Sequence, residues 1–267
     1  HSDIRAVIHF AALKAVGESV SKPLEYYFNN LNSLMNVLTC MREFKVPNLV
    51  FSSSCTVYGQ ADVLPVTEKT PRHEAESPYG NTKVMSEDII RDLMRVEPDM
   101  KALALRYFNP IGAHPTAFIG ELPNGVPNNL IPYLTQTAIG IREQLSVFGD
   151  DYNTPDGSPL RDYIDVVDLA QAHVVAIRRL LDGKNKKNYE FFNIGTGKAL
   201  SVLEIIHAFE RATGVKVNYK VVGRRAGDIE KVWADTTLAN NELGWKAVTP
   251  IEETLANAWK WQKALDK

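Results

Sequence analysis

The sequence has little cysteine, no long apolar run and almost no excess of charge. Its two cysteines, Cys40 and Cys55, have neither the spacing of metal ligands nor that of a disulfide framework. No apolar run approaches the roughly 20 residues that cross a bilayer. A formal charge of -2 provides no evident surface for nucleic acid or an anionic membrane. The segment 1–5 lacks a secretion-signal layout. We therefore expect a cytoplasmic protein with reduced thiols, no metal site, no nucleic-acid partner and no membrane partner.

A glycine-rich dinucleotide turn is also missing. Such a site normally opens with a strand, a G-x-G-x-x-G turn and a helix, whose N-terminus faces the pyrophosphate. Gly195-Thr-Gly197 follows a predicted strand but lacks the third glycine, and Ser201 is suited to cap the next helix. Gly197-Lys198 does not complete a P-loop, because Ala199 stands where Ser or Thr is needed. Either the first half of a dinucleotide-binding domain is missing from the sequence, or a dinucleotide fold is the wrong prediction.

Apolar, β-branched segments alternate with amphipathic ones, which predicts βαβ units around a parallel sheet. The predicted strands are 6–11, 48–52, 101–106 and 189–194, and the predicted helices are 23–44, 79–96, 165–181, 201–213 and 250–265. The alternation of the first five elements is typical of one half of a doubly wound α/β fold. Beyond Asn109, Gly and Pro become frequent, and we expect a substrate-binding portion to begin there.

Tyr79 and Lys83 are the first candidates for catalysis. Among ten tyrosines, only Tyr79 has a lysine four residues later, and that spacing puts both side chains on one face of a helix. Pro78 favours a helix start just before them. A nearby ammonium favours the phenolate, so the spacing predicts a tyrosine base with a lowered pKa.

A cluster of serines follows the second predicted strand. Ser52-Ser53-Ser54 leaves the strand at its carboxyl end, the edge at which doubly wound sheets bind ligands. A serine hydroxyl both donates and accepts, so it could relay a proton between a substrate hydroxyl and the Tyr79 phenolate. Turn formation and helix capping are the alternative explanation for such serines.

Five motifs in order resemble those of the UDP-galactose 4-epimerases, which are extended short-chain dehydrogenases. They are His9-Phe-Ala-Ala-Leu-Lys14-Ala-Val-Gly-Glu-Ser, Ser52-Ser-Ser54-x-Thr-Val-Tyr-Gly59, Pro78-Tyr79-Gly-x-x-Lys83, Arg106-Tyr-Phe-Asn109 and Arg161-Asp-Tyr-Ile-x-Val-x-Asp168. The resemblance implies a Rossmann-type fold whose N-terminal half is missing, so that the chain begins at the family's fourth strand. Residues 1–110 would form a partial NAD-binding domain, to which some later segments return. Residues 111–267 would mainly hold the nucleotide sugar.

The resemblance also implies a reaction and its residues. UDP-hexoses would be epimerised at the sugar 4-position through a 4-keto intermediate, with NAD as cofactor, in a homodimer. Tyr79 would be the base, Lys83 would bind the nicotinamide ribose and lower the tyrosine pKa, and Ser54 would hydrogen-bond the reacting hydroxyl. The implied cofactor residues are Phe10, Ala11, Lys14, Asn29, Ser52, Tyr79, Lys83 and Tyr107. The implied substrate residues are Ser54, Asn109, Asn128, Asn129, Leu130, Ser146, Phe148, Arg161, Tyr163, Arg225, Asp228 and Val232.

Some of these residues also have plain alternatives. Arg161 and Arg225 could fork onto pyrophosphate oxygens, or they could be solvated surface charges. Phe148 offers a face for uracil, and Asn128 and Asn129 could be a helix cap. Cys55 stands where the family usually has alanine, which we interpret as packing.

Val232 and the serine turn distinguish among related reactions. Val232 stands where family members restricted to plain hexoses are bulky, so we expect N-acetylated hexoses to fit as well. Related 4,6-dehydratases carry Asp-Glu after a Thr, whereas Ser54-Cys55 follows Ser53 here. Other nucleotide-sugar epimerases, decarboxylases and a catalytically inactive nucleotide-binding fragment remain alternatives.

Overall fold

The computed structural model describes residues 3–225 and 228–265. Its contacts divide the chain into two compact units. The first unit comprises residues 1–107, 171–194 and 235–246, and the second comprises 108–170, 195–234 and 247–267. Each unit is therefore assembled from segments that are far apart in the sequence.

The first unit is a four-stranded parallel sheet with helices. Its elements are β1 (Ala6–His9), α1 (Val16–Ser21), α2 (Pro23–Glu43), β2 (Asn48–Ser52), a 3₁₀ turn (Cys55–Tyr58), α3 (Pro78–Val96), β3 (Lys101–Tyr107), the part of α5 (Val166–Leu181) from Gln171 onward, β7 (Tyr189–Ile194) and a π-helical turn (Ala239–Leu243). The strand order is β1-β2-β3-β7, and every neighbouring pair is parallel. This is the Rossmann-type parallel sheet that the sequence predicts.

The core of the first unit explains its helices. Leu34 and Leu38 of α2 and Ile90 and Met94 of α3 are buried at helical spacing against the apolar residues of β2 and β3. Both helices begin with a proline in the first turn, where a missing N–H costs no hydrogen bond. Ser77 caps α3, because its hydroxyl accepts from Gly80 N at 3.1 Å.

In residues 108–170, 195–225, 228–234 and 247–265, the second unit contains two small sheets and three helices besides the start of a fourth. Its elements are β4 (Asn109–Ile111), α4 (Leu130–Ala138), β5 (Leu145–Phe148), β6 (Leu160–Asp165), the start of α5, β8 (Ala199–Ser201), α6 (Val202–Thr213), β9 (Tyr219–Val222), β10 (Lys231–Val232) and α7 (Ile251–Leu265). One sheet has the order β10-β6-β4, with β8 antiparallel on β6, and the other pairs β5 with β9. Its core contains Leu134, Ile205, Phe209 and Leu255.

Gly195–Gly197 is a turn between β7 and β8 and not a dinucleotide turn, as its missing third glycine indicated, and Ser201 caps the helix that follows. The backbone N–H groups of Thr196 and Gly197 donate to the buried carboxylate of Asp162 at 2.8 and 3.1 Å. Ser201 and Glu204 then form a reciprocal capping box at the start of α6. Its backbone donors are thus occupied within the fold.

The described part of the chain contains neither a membrane-spanning helix nor a cluster of metal-ligating side chains. None of the helices in residues 3–225 and 228–265 is long and apolar enough to cross a membrane. Within the same residues, no group of three or more His, Cys, Asp or Glu side chains is arranged to hold a metal ion. Neither Cys40 nor Cys55 forms a disulfide.

Candidate active site

Tyr79 and Ser54 meet at the carboxyl end of the parallel sheet of the first unit. Tyr79 lies in the first turn of α3, and Ser54 follows β2 at the cap of the 3₁₀ turn. The Tyr79 phenol and the Ser54 hydroxyl share a hydrogen bond, and the Ser54 hydroxyl also accepts from Thr56 N at 3.2 Å. Ser54 therefore has both a capping role and a contact with the candidate base, so the two readings of the serine cluster are not exclusive.

Lys83 lies one helical turn after Tyr79 and is buried. Its ammonium donates to the main-chain oxygen of Ser52 at 2.8 Å. The nitrogen lies 4.9 Å from the ring centroid of Phe51 and 5.8 Å from that of Tyr79. The expected Tyr79–Lys83 pair thus shares one helix face, and Lys83 is fixed by the end of β2. Burial lowers the pKa of Lys83 to about 8.

The pKa of Tyr79 differs in direction from the sequence expectation. Burial raises it well above the ordinary value, since a phenolate loses its hydration there. The Ser54 hydrogen bond opposes this rise, while the neighbouring Tyr107 phenol and Cys55 thiol add to it. The lowered pKa expected from the lysine spacing alone is therefore wrong for the structure. Spacing placed the two groups correctly but carried no information about desolvation.

Ser52 connects two further side chains of the first unit. Its hydroxyl lies 2.8 Å from Nε2 of His173 on α5 and is hydrogen-bonded to the Tyr107 phenol. Phe10, which is largely exposed, packs on His173 with ring centroids 4.6 Å apart. His173 thus lies among three of the predicted cofactor residues, Phe10, Ser52 and Tyr107. It belongs to none of the sequence motifs.

The loop after β1 carries the remaining cofactor candidates, Ala11 and Lys14, both exposed. Asn30 holds this loop: its amide accepts from Leu13 N at 2.8 Å and donates to Leu13 O at 3.0 Å. The same amide nitrogen donates to Thr82 of α3 at 3.1 Å. The predicted Asn29 is exposed and donates to the Asn30 side-chain oxygen at 3.0 Å. Asn30 was missed, although its place on the buried face of α2 was a readable signal.

Four of the substrate candidates are aligned by the register of the larger sheet in the second unit. Asn109 of β4 is opposite Tyr163 of β6, and Arg161 of β6 is opposite Val232 of β10. Tyr163 is buried, which raises its pKa to about 12, and the nearby Arg161 opposes the rise. Residues separated by more than a hundred positions are thus placed on three adjacent strands.

A cation, an anion and an aromatic ring form a second group in the same unit. The guanidinium of Arg225 lies 5.2 Å from the ring centroid of Phe148 and forms an ion pair with Asp228 at 2.8 Å. Asp228 also acts electrostatically on Tyr163, which links this group to β6. Arg161 donates to Leu160 O at 2.9 Å. Phe148 remains about a third exposed, so its ring could accept a flat partner.

Asn128, Asn129, Leu130 and Ser146 are the remaining substrate candidates of the second unit. Asn129 occupies the cap position of α4, but its side chain makes no capping hydrogen bond and instead donates to Glu121 at 2.8 Å. Asn129 is thus at the cap position of the helix, as predicted, but its side chain does not form the capping hydrogen bond. Asn128 is exposed and Leu130 half-buried. Ser146 lines a surface hollow with Arg142 and Lys220.

Comparison with known proteins decides the family. A family model described as GDP-mannose 4,6 dehydratase matches residues 1–258. The UDP-glucose 4-epimerase of Mus musculus is 51% identical over 259 residues, which are 97% of this chain and 74% of that protein. The chain belongs to the UDP-glucose 4-epimerase family. The resemblance inferred from the motifs is thereby confirmed, as is the expectation that the protein is an enzyme.

Two solved structures confirm the Rossmann-type fold. The UDP-glucose 4-epimerase of Bifidobacterium longum, in complex with NAD+ and UDP, is 47% identical with a TM-score of 0.93 and covers 98% of this chain and 77% of that one. The enzyme of Stenotrophomonas maltophila, with NAD and formylated UDP-arabinopyranose, is 48% identical with a TM-score of 0.94 and the same coverage. This chain thus spans about three quarters of the length of each relative.

Replacing Lys83 with methionine is expected to stabilise the fold at neutral pH. The folded pKa of about 8 lies below the ordinary 10.5, so keeping the buried ammonium charged opposes folding at every pH below about 8. Removing it should raise the free energy of unfolding by about 2 kcal/mol after the loss of the Ser52 hydrogen bond. The gain should fade between pH 8 and 10.5, where only the unfolded lysine remains protonated.

Urea unfolding at pH 7 and at pH values up to 10.5 measures this difference. Lys69→Met, at an exposed lysine of the same unit, should change the unfolding free energy by no more than about 0.5 kcal/mol at any of these pH values. A Lys83→Met variant that is less stable than the parent at pH 7 would contradict the account of Lys83 burial.

Proposed function

We propose that this chain epimerises UDP-hexoses at the sugar 4-position, interconverting UDP-galactose and UDP-glucose through a 4-keto intermediate. The hydrogen-bonded pair of Tyr79 and Ser54, with the ammonium of Lys83 on the same helix face, carries this proposal. It provides a proton acceptor and a hydroxyl that orients the sugar, beside a buried cation. Family membership supports the reaction, and solved relatives that contain NAD support the cofactor.

Tyr79 is the proposed acid and base. It takes the proton of the sugar 4-hydroxyl when the ketone forms and returns it when the ketone is reduced. Ser54 would bind the same hydroxyl, because a serine oxygen can accept one proton while it donates another. When bound, NAD supplies the hydride acceptor and donor and, in its oxidised form, a positive charge that favours the phenolate. The raised pKa of Tyr79 makes the phenol well suited to retain the proton until the return step.

The residues of the first unit fit the nicotinamide end of NAD. The Lys83 ammonium gives one N–H to Ser52 O and has two more for the ribose hydroxyls. Tyr107 is oriented by Ser52, and Phe10 offers an exposed ring next to it in the same cluster. The proposed cofactor residues are therefore Phe10, Ala11, Lys14, Asn29, Ser52, Tyr79, Lys83 and Tyr107. The sequence contains no G-x-G-x-x-G turn, so this assignment concerns the nicotinamide end alone.

The second unit is proposed to hold the UDP group. Arg161 and Arg225 would bind the diphosphate, because a guanidinium presents paired N–H donors to phosphate oxygens. Phe148 would stack on uracil, since its ring is partly exposed and Arg225 lies near it. The complete proposed substrate set consists of Ser54 of the first unit, for the reacting hydroxyl, and eleven residues of the second unit, which are Asn109, Asn128, Asn129, Leu130, Ser146, Phe148, Arg161, Tyr163, Arg225, Asp228 and Val232. Firm binding of the nucleotide and loose binding of the hexose would allow the ketone to turn over.

A 4,6-dehydration fits the site less well than epimerisation. The matching family model bears a dehydratase description, and both reactions pass through a 4-keto sugar. Elimination of water needs an additional acid and base, which the resemblance assigns to an Asp-Glu pair after a threonine. This chain carries Ser54 and Cys55 at that turn, so it lacks those carboxyl groups there.

A homodimer through α2 is proposed from its exposed apolar residues. Leu24 and Phe28 are 81% and 75% exposed and lie one turn apart, and Met35 is 42% exposed on the same side of the helix. Leu34 and Leu38 already pack in the core on a neighbouring face of the helix. A helix that is apolar on both faces is unfavourable in water, and a two-fold partner helix would cover the exposed face.

A cytoplasmic location remains a proposal as well.

Tyr79→Phe should reduce turnover by about 100-fold to 10,000-fold, because the phenylalanine has no proton to exchange. UDP binding should be unchanged, since the proposed UDP residues belong to the second unit. A coupled assay for UDP-glucose formed from UDP-galactose measures the first effect, and titration calorimetry with UDP measures the second. Tyr219→Phe, on β9, serves as the matched control. A near-normal rate for Tyr79→Phe would remove the assignment.

The enzyme is expected to convert UDP-N-acetylgalactosamine as well as UDP-galactose. Val232→Tyr should lower turnover of the N-acetylated sugar about 10-fold or more and spare the plain hexose, because a bulkier side chain takes up the acetamido space. Comparing kcat/KM for the two sugars gives the ratio. Val221→Tyr adds the same ring on β9 and should leave that ratio unchanged. A parent enzyme inactive on the N-acetylated sugar would sink the idea.

Leu24→Asp combined with Phe28→Asp is expected to yield a monomer, because charged groups cannot be desolvated at an apolar helix contact. Light scattering on a size-exclusion column gives the mass of the parent and the variant. Phe118→Asp is the control, because Phe118 is 84% exposed and lies in a loop of the second unit. The mass of this variant should match that of the parent. A parent that is already monomeric contradicts the dimer.

A further inference from the structure

Helix α3 contacts three consecutive serines through three side chains spaced one turn apart. Tyr79 hydrogen-bonds the Ser54 hydroxyl, and Lys83 donates to the Ser52 main-chain oxygen. The third contact belongs to Glu87, whose carboxylate accepts from the Ser53 hydroxyl at 2.6 Å. Residues 79, 83 and 87 share one face of the helix because each follows the one before it by four positions. The first two contacts involve proposed catalytic groups, and the third has no role so far.

Glu87 is also one half of a buried ion pair. Its two oxygens accept from Nε and Nη2 of Arg106 at 2.9 and 2.6 Å, and the two side chains are 0% and 2% exposed. Arg106 additionally donates to the Tyr58 hydroxyl at 3.0 Å. The guanidinium lies 4.0 Å from the ring centroid of Phe191. Carboxylate and guanidinium are thus fixed in one geometry, directly beneath the serine turn.

Stability does not explain such a pair well. Taking both charges out of water costs several kcal/mol per ion, and apolar side chains of similar volume often replace a buried pair without loss. A buried carboxylate is more informative when another buried charge lies nearby. Lys83 is that charge, one helical turn before Glu87.

The groups facing Lys83 have opposing effects. His9 of β1 is one of these groups. Burial lowers the pKa of His9 most, and the nearby Lys83 ammonium lowers it further. Tyr79 of α3 is a neutral phenol with a raised pKa, and Arg106 of β3 is the cation bound to Glu87. Burial lowers the pKa of Lys83, whereas the carboxylate of Glu87 raises it. Glu87 therefore counteracts desolvation of the ammonium.

We propose that Glu87 is a positioning residue for the active site: paired with Arg106, it keeps the Lys83 ammonium charged and ties α3 to the serine turn through Ser53. The expected effect of Glu87 on turnover rests on the proposed epimerase function. The effect on Lys83 does not, because it concerns only charges within the first unit.

The test neutralises the pair while keeping an acceptor for Ser53. In the double variant Glu87→Gln/Arg106→Met, neither partner of the ion pair is left behind as an unpaired charge, so the fold should persist. The matched control is Glu190→Gln/Arg179→Met, which removes another buried ion pair of the first unit with a 2.8 Å contact. The pKa of Lys83 is measured by NMR titration of the labelled lysine ammonium groups, with Lys83→Met to assign the signal.

The pKa of Lys83 should fall by about one pH unit in the test variant and stay unchanged in the control. The alkaline limb of the kcat profile should move to lower pH by the same amount, because fewer molecules carry the ammonium. An unchanged Lys83 pKa would overturn the proposal. So would a kcat lowered by one common factor at every pH, since that result is typical of a purely structural role.

Ser53→Ala examines the contact with the serine turn and leaves the ion pair intact. It should lower kcat several-fold with little change in KM for the UDP-sugar, and it should leave the Lys83 pKa unchanged. A variant with normal kcat would overturn the positioning role. If the parent shows the expected Lys83 titration but no epimerase activity, the proposed function fails and the effect of Glu87 on Lys83 stands.

Discussion

Burial of a lysine ammonium at the carboxyl end of a parallel sheet is the constraint on which the first unit depends. Lys83 is held by the carbonyl of Ser52, the last residue of β2. The sheet must therefore place that strand end against the first two turns of α3. An ammonium of this kind opposes folding by several kcal/mol unless hydrogen bonds and a nearby carboxylate compensate. The Ser52 carbonyl and the Glu87 carboxylate offset part of this cost, and Ser53 and Arg106 hold that carboxylate in place.

The same burial explains why the Tyr79–Lys83 spacing could not predict the pKa values of the two side chains. Four-residue spacing on a helix determines which face two side chains share, and the structure has them on one face. Spacing does not determine how much water reaches them. Burial dominates both groups, raising the pKa of Tyr79 and lowering that of Lys83. A tyrosine base in this setting needs positive charge beyond the ammonium, and an oxidised nicotinamide carries such a charge.

The long, strongly patterned elements were predictable, and the short ones were not. Strands β2 and β7 and helix α3 follow from apolar runs and from proline at the helix start, and their bounds agree to within one residue. Strands of two to four residues such as β8 and β10 have too few positions to show a period. They form because distant segments pair with β6. Non-local pairing of this kind leaves no local signal in the sequence.

The candidate site was predictable where chemistry is written in consecutive residues, and less so where it depends on packing. The serine turn and Tyr79 stand in motifs. Asn30 and His173, by contrast, are polar residues on helices: the helical period puts Asn30 on the buried face of α2, but the sequence does not show what either side chain contacts. Asn30 links the loop after β1 to Thr82 of α3, and His173 contacts Ser52. Both hold proposed functional residues in place without carrying chemistry themselves. A motif therefore identifies the groups that react, whereas the structure is needed to find the groups that orient them.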